Sequence, residues 1–196
     1  MLGKTRVALW LLVAFAAAGA LFLVLRPAQP MRQAEQAQLG PIGGPFTLVN
    51  SDGQPFASSR LTGKPAAIFF GFIHCPDVCP TTLARLIKLR RQLGNDDLAI
   101  VFVSVDPARD RPADLARFAE LFDNKVIALT GSEAQVEKVK QLFGVFSQKV
   151  PEPGGEYGVN HTAAVFVMDR DGKFVSTIAP DEDDVAALAK LRRVAG

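Results

Sequence analysis

The chain has 196 residues, with 22 Lys and Arg against 20 Asp and Glu, for a formal net charge of +2. That near balance leaves no electrostatic footprint for nucleic acid. The length suits a membrane or targeting segment plus one domain of ordinary size.

Lys4 and Arg6 precede an uncharged, strongly apolar run over residues 7–25, which Arg26 and Pro27 end. As a helix these residues span about 28 Å, close to the hydrocarbon thickness of a bilayer. Ala18-Gly19-Ala20 offers a competing signal-peptide cleavage site, but residues 21–25 carry the apolar run past it, beyond an ordinary signal core. An uncleaved anchor over residues 1–25 is therefore the expectation. Basic residues flank both ends with a slight bias that puts the short end inside and the large domain outside. No cysteine follows the run, which excludes lipid attachment at a processed N-terminal cysteine. Residues 26–44 are rich in Pro, Gln, Gly and Ala without apolar periodicity, and read as a linker reaching roughly 24 Å if flexible.

Residues 45–196 read as one α/β domain. Residues 46–49 and 55–56 flank Ser51-Asp52-Gly53 as a short hairpin. Residues 66–72 predict a buried strand, followed by a helix over 78–93 with Leu83, Leu86, Ile87, Leu89 and Leu93 inward. A second buried strand covers 98–105, and Pro112 opens a helix carrying Leu115, Phe118, Ala119 and Phe122. Residues 126–129 form a short strand, and Ser132 caps a helix to about residue 143. Prolines and glycines make 146–160 a loop with room for a short hairpin. Strands over 163–168 and 173–179 then flank the turn Asp169-Arg170-Asp171-Gly172. Acidic residues 181–184 open a last helix. This order, with paired cysteines opening the first main helix, is that of a thioredoxin-like sandwich, a match that supports the fold and leaves the chemistry open.

Cys75 and Cys79 are the only cysteines, four residues apart in Gly71-Phe72-Ile73-His74-Cys75-Pro76-Asp77-Val78-Cys79-Pro80. Pro76 suits a first helical turn, and a helix places such residues on one face with Cβ atoms about 5–6 Å apart. Two thiols so placed can close a disulfide or share one soft metal ion. A helix N-terminus is expected to stabilise thiolate. The spacing departs from the C-x-x-C of general oxidoreductases and suits gripping an ion better than fast dithiol exchange. The bland alternative is a structural thiol pair.

His161, between Asn160 and Thr162, is expected to open the strand over 163–168, beside the strand leading to Cys75. Its imidazole would then approach both sulfurs. A loop histidine bonded to backbone is the competing reading. His74 neighbours Cys75, but adjacent side chains on an extended segment point to opposite faces, which favours a supporting role. Asp77 and Asp106 could bind or orient groups of the site, with solvated capping the favoured reading, and Arg109, Asp110 and Arg111 are expected as surface ion pairs or a docking patch.

Two thiolates and one imidazole suit Cu(I), Cu(II) or zinc. Structural zinc wants four ligands, and only three are well placed here, so copper is the better match. The cysteine motif, together with Ser104-Val105-Asp106-Pro107-Ala108-Arg109-Asp110, Asn160-His161-Thr162 and Leu61-Thr62-Gly63-Lys64-Pro65, resembles the Sco/SenC copper chaperones of cytochrome c oxidase assembly. The resemblance runs from Phe46 to the C-terminus. It implies copper ligands at Cys75, Cys79 and His161, and a periplasmic or intermembrane-space domain serving the binuclear copper centre of the oxidase. A periplasmic copper donor protein and the copper-centre subunit are the implied partners. Asn160 stands where many members have Asp, which bears on tuning of the loop and leaves the ligand itself in place.

Two other functions compete. One is a membrane-tethered thiol–disulfide oxidoreductase that keeps the oxidase cysteines reduced. The other is a peroxide-reducing enzyme, suggested by Cys79-Pro80-Thr81. The threonine that peroxidases place three residues before the cysteine is Pro76 here, which weighs against it.

Overall fold

The computed structural model describes Trp10 and residues 41–94, 96–122, 125–152 and 154–196. Among these residues no helix is long and apolar enough to cross a membrane. The anchor expected over 1–25 lies outside the described residues apart from Trp10, and so does the linker up to residue 40.

Strands β1 (Thr47–Asn50) and β2 (Pro55–Ala57) form the expected hairpin. Its turn is organised by Asn50, whose side-chain oxygen accepts from the N–H groups of Asp52 and Gln54, with Gly53 at φ 76°. Strand β3 (Ala66–Gly71) leads to helix α1 (Val78–Leu93), and β4 (Ala99–Ser104) to α2 (Pro112–Glu120). Strand β5 (Val126–Thr130) leads to α3 (Glu133–Phe143), whose N-terminus is closed by a reciprocal Ser132–Gln135 capping box, satisfying two otherwise unpaired donors. Helix α1 ends at Gly94 in the left-handed conformation, as glycine permits.

Every residue of β3 and β4 is buried. Such unbroken burial needs cover on both faces of the sheet. Phe70 meets Phe143 of α3 at 5.3 Å between ring centroids, whereas its neighbour Phe69 meets Phe102 at 6.3 Å. Phe102 in turn packs on Phe118 of α2.

Strand β6 (Ser147–Pro151) pairs antiparallel with β7 (Tyr157–His161) in a separate two-stranded sheet. The stretch read from sequence as a loop is thus mostly hairpin. His161 closes β7 instead of opening the next strand, β8 (Val165–Met168), which pairs with β9 (Phe174–Ile178) before α4 (Asp184–Ala195). The seven-stranded main sheet has the order β2-β1-β5-β4-β3-β8-β9, with β3, β4 and β5 parallel. Because β8 runs antiparallel to β3 with Val165 opposite Phe69, its start lies at the end of β3 that feeds the cysteines. That register brings His161, a few residues before β8, to Cys79.

Candidate metal centre

Helix α1 begins at Val78, as its apolar spacing predicts, but the reading of Pro76 as part of its first turn is corrected: Pro80 lies there, and Cys75 sits in the turn before the helix. The N–H of Cys75 donates to the Phe72 carbonyl at 3.2 Å, so the chain doubles back between strand and helix. Asp77 occupies the cap position without a side-chain cap bond, and accepts instead from the Thr81 hydroxyl at 3.1 Å. Both cysteines are free thiols; Cys75 is half-buried and Cys79 fully buried.

Cys79 sits close to the end of β3. A Cβ on Gly71 would come within 2.7 Å of its sulfur and 2.9 Å of the Phe102 ring, so the space the thiol fills exists because residue 71 has no side chain. Burial pushes the Cys79 thiol well up from its ordinary range, and the adjacent Cys75, which also hydrogen-bonds to it, adds to the rise. The expectation of a dipole-lowered thiol is therefore reversed at Cys79. Removing water from the sulfur costs the charged form more than the Phe72 backbone bond returns.

His161 meets Cys79 across 82 residues of sequence, with Nε2 3.8 Å from Sγ. Its Nδ1 lies 3.0 Å from the Thr162 carbonyl. With Nδ1–H donating there, Nε2 keeps its lone pair toward the sulfur. Edge-on contacts with Phe69 and Phe72, at 6.0 and 5.9 Å between centroids, hold the ring orientation. Burial lowers the imidazole pKa below its ordinary value of 6.5, so the neutral, ligand-competent form prevails at pH 7.

The contacts among the three predicted ligands are pairwise, Cys79 with Cys75 and Cys79 with His161. Among the described residues, no three His, Cys, Asp or Glu side chains already stand together as a metal cluster. The donors form an open set with Cys79 as its shared member.

The acids of the β4–α2 loop are not where the sequence suggested. Asp106 and Asp110, expected at the surface, are both fully buried. Asp110 accepts from Ser104 Oγ at 2.6 Å and from the Ile73 N–H at 3.1 Å, and its other oxygen faces His74 Nδ1 at 3.4 Å. Burial raises its carboxyl pKa. His74 is thus turned toward Asp110 on the half-exposed side of the loop, consistent with support of the cysteine turn. Asp106 accepts from Arg109 Nε at 2.6 Å and from the Tyr157 hydroxyl at 3.0 Å. Arg109 is largely buried, not a surface group, and the Asp106 carboxylate raises its pKa against the opposing effect of burial.

Gly71, Phe69, Phe72 and Tyr157 escaped the sequence reading as contributors to the site. One signal was available for Tyr157, the single tyrosine of the chain, placed four residues before His161.

Residues 34–196 match the family model described as SCO1/SenC. The chain belongs to the SCO1/SenC family. Mitochondrial protein SCO2 of Saccharomyces cerevisiae is 35% identical over 156 residues, covering 77% of this chain and 52% of that protein. The chain thus spans about half the length of that relative. The solved structure of Bradyrhizobium japonicum ScoI with copper bound superposes with a TM-score of 0.71 at 41% identity, covering 78% of this chain and 99% of that one. BsSco, a member of the Sco family of cytochrome c oxidase assembly proteins in which a disulfide switch was identified, gives 0.61 at 28% identity, covering 82% and 98%. The thioredoxin-like reading of the SCO1/SenC domain stands on these matches and on the topology.

Proposed function

We propose that this SCO1/SenC chain binds copper through Cys75, Cys79 and His161 and delivers it to the binuclear copper centre of cytochrome c oxidase. The reading has the copper-centre subunit as recipient and a periplasmic copper protein as donor. It also has residues 7–25 as a single-pass anchor in the inner membrane, with the domain on the periplasmic side. The observation that carries it is the approach of His161 Nε2 to within 3.8 Å of Cys79 Sγ, from a strand that shares no ladder with the main sheet leading to the cysteines. Soft thiolates suit Cu(I), and the added imidazole makes Cu(II) acceptable. Binding exchanges the thiol protons for the metal, which relieves the unfavourable burial of a Cys79 thiolate by pairing it with a cation.

Metal analysis of the full chain tests this. Wild type is expected to hold stoichiometric copper with thiolate–Cu(II) absorption, and His161→Ala to lose most of its affinity while both thiols remain titratable. Undiminished copper affinity in His161→Ala contradicts the ligand set. The contact of two free thiols favours one second reading, a dithiol reductant. In that step Cys75 and Cys79 would be oxidised to a disulfide while a partner disulfide takes up two electrons and two protons. Copper-free protein that turns over a disulfide substrate efficiently, and loses this on Cys75→Ser, would favour it.

A further inference from the structure

The hairpin β6–β7 carries His161 yet has no ladder to the main sheet, and an isolated two-stranded hairpin is marginally stable in water. Something outside it must fix where His161 lies. At its base, Thr162 N–H donates to the Phe146 carbonyl and Phe146 N–H to the Thr162 hydroxyl. These bonds tie the hairpin to its own ends and leave its placement on the domain open.

Tyr157 stands at the other end of β7. Side chains two and four residues apart share a face of a strand, so Tyr157, buried Val159 and His161 project together. The Tyr157 hydroxyl donates to Asp106 Oδ1, Arg109 Nε donates to Asp106 Oδ2, and Arg109 Nη1 donates to the Tyr157 carbonyl at 2.9 Å. The guanidinium also lies 3.6 Å from the Tyr157 ring centroid, a cation–π stack. Three residues thus close a ring of contacts between the β4–α2 loop and the hairpin. A second route runs through Phe72, which has the guanidinium 5.9 Å from one side of its ring and the His161 ring 5.9 Å away, edge-on.

The same loop reaches the cysteines. Ser104 Oγ accepts from the Asp106 N–H at 3.0 Å and donates to Asp110, whose carboxylate takes the Ile73 N–H two residues before Cys75. One hydroxyl links the arm that holds the thiol turn to the arm that holds the imidazole strand.

We infer that Asp106, Arg109 and Tyr157 are positioning residues that set the distance of His161 from the two sulfurs, and so tune how well the open donor set closes on a soft metal. This inference rests on the ligand reading above. It differs from a role in overall stability because it acts through one ligand only.

A double-mutant cycle on the full chain tests it, with copper affinity and the thiolate–Cu(II) spectrum as readouts. Tyr157→Phe keeps the ring and removes only the hydroxyl, so the fold is expected to survive. It should weaken copper binding by about tenfold, as loss of a supporting bond behind a ligand does, and shift the spectrum toward that of His161→Ala. In a His161→Ala background the same change should alter affinity by less than about twofold. The reduction potential of the Cys75–Cys79 pair should not move in either background. Wild-type affinity in Tyr157→Phe, alongside loss in His161→Ala, overturns the inference and leaves the ligand reading standing. Equal weakening in both backgrounds also overturns it, since the residue then acts on the whole domain. Undiminished affinity in His161→Ala removes the ligand reading and the inference with it.

Discussion

The two halves of the candidate site are built in different ways. The thiol half grows out of the main sheet: β3 is buried throughout, Gly71 clears space for the Cys79 sulfur, and Cys79 belongs to the first turn of α1. The imidazole half hangs on a hairpin outside that sheet and is tied to it by a few polar and aromatic contacts. A pair of thiols at the start of α1 faces an imidazole that, in the inference above, is positioned by a separate clamp. Under the proposed function, that division would let one ligand shift without disturbing the other two.

The comparison breaks most visibly at Asp106. Asp106→Ala leaves Arg109 and Tyr157 without their common acceptor, and breaking a buried pair costs about 3 kcal/mol or more. A fall in Tm of roughly 6–12 °C is expected in a domain of this size, with loss of copper affinity, read by calorimetry and copper titration. If stability and affinity both hold, the hairpin is placed by something other than this clamp.

Gly71→Ala attacks the other half. The new methyl would press on the Cys79 sulfur and the Phe102 ring, an overpacking cost of about 1–3 kcal/mol. Thermal denaturation should register it, and the reactivity of Cys79 toward a thiol reagent should rise as the sulfur is displaced outward. A silent substitution would mean the thiol half is looser than its burial implies.

A finer probe is the titration of His161. Its folded-state pKa is depressed by burial below 6.5, so the unfolded chain takes up its proton first as pH falls. The stability associated with this group is therefore present above 6.5 and is lost as pH drops from 6.5 toward the lowered value. Imidazole NMR shifts of copper-free protein should titrate below 6.5; titration above it would mean the hairpin leaves His161 in water.

The smallest effect serves as a control outside both halves. Glu182, held below the usual carboxylate range by the Lys190 ammonium and the Ala179 N–H, contributes stability above its ordinary value of 4.5 that fades as pH falls through its lowered pKa. Glu182→Gln should cost a little stability at pH 7, nothing in acid, and leave copper affinity unchanged.

The thiol half was legible in the sequence because its signals are local and strong. An apolar run becomes β3, a 3.6-residue pattern becomes α1, and Ser132 with Gln135 marks α3. The imidazole half was legible only in part, with His161 expected near the sulfurs but its hairpin left as an option within a loop. Ser147, Gln148 and Lys149 give β6 no apolar alternation, because a ribbon lying on the domain edge keeps most of that strand exposed. Asp106 and Asp110 looked like surface charges because what permits their burial is a set of donors on other elements, namely Tyr157, Ile73 and Ser104. The approach of His161 to the Cys79 sulfur was readable only through the order of elements, which put the strand that follows it beside β3.

X-ray absorption at the copper edge of the loaded full chain, compared with His161→Ala, tests the central claim most directly. Convergence of the two halves predicts sulfur neighbours from both cysteines and a nitrogen neighbour that vanishes in the variant. A sulfur-only environment in the wild type, or a nitrogen that persists without His161, would contradict it.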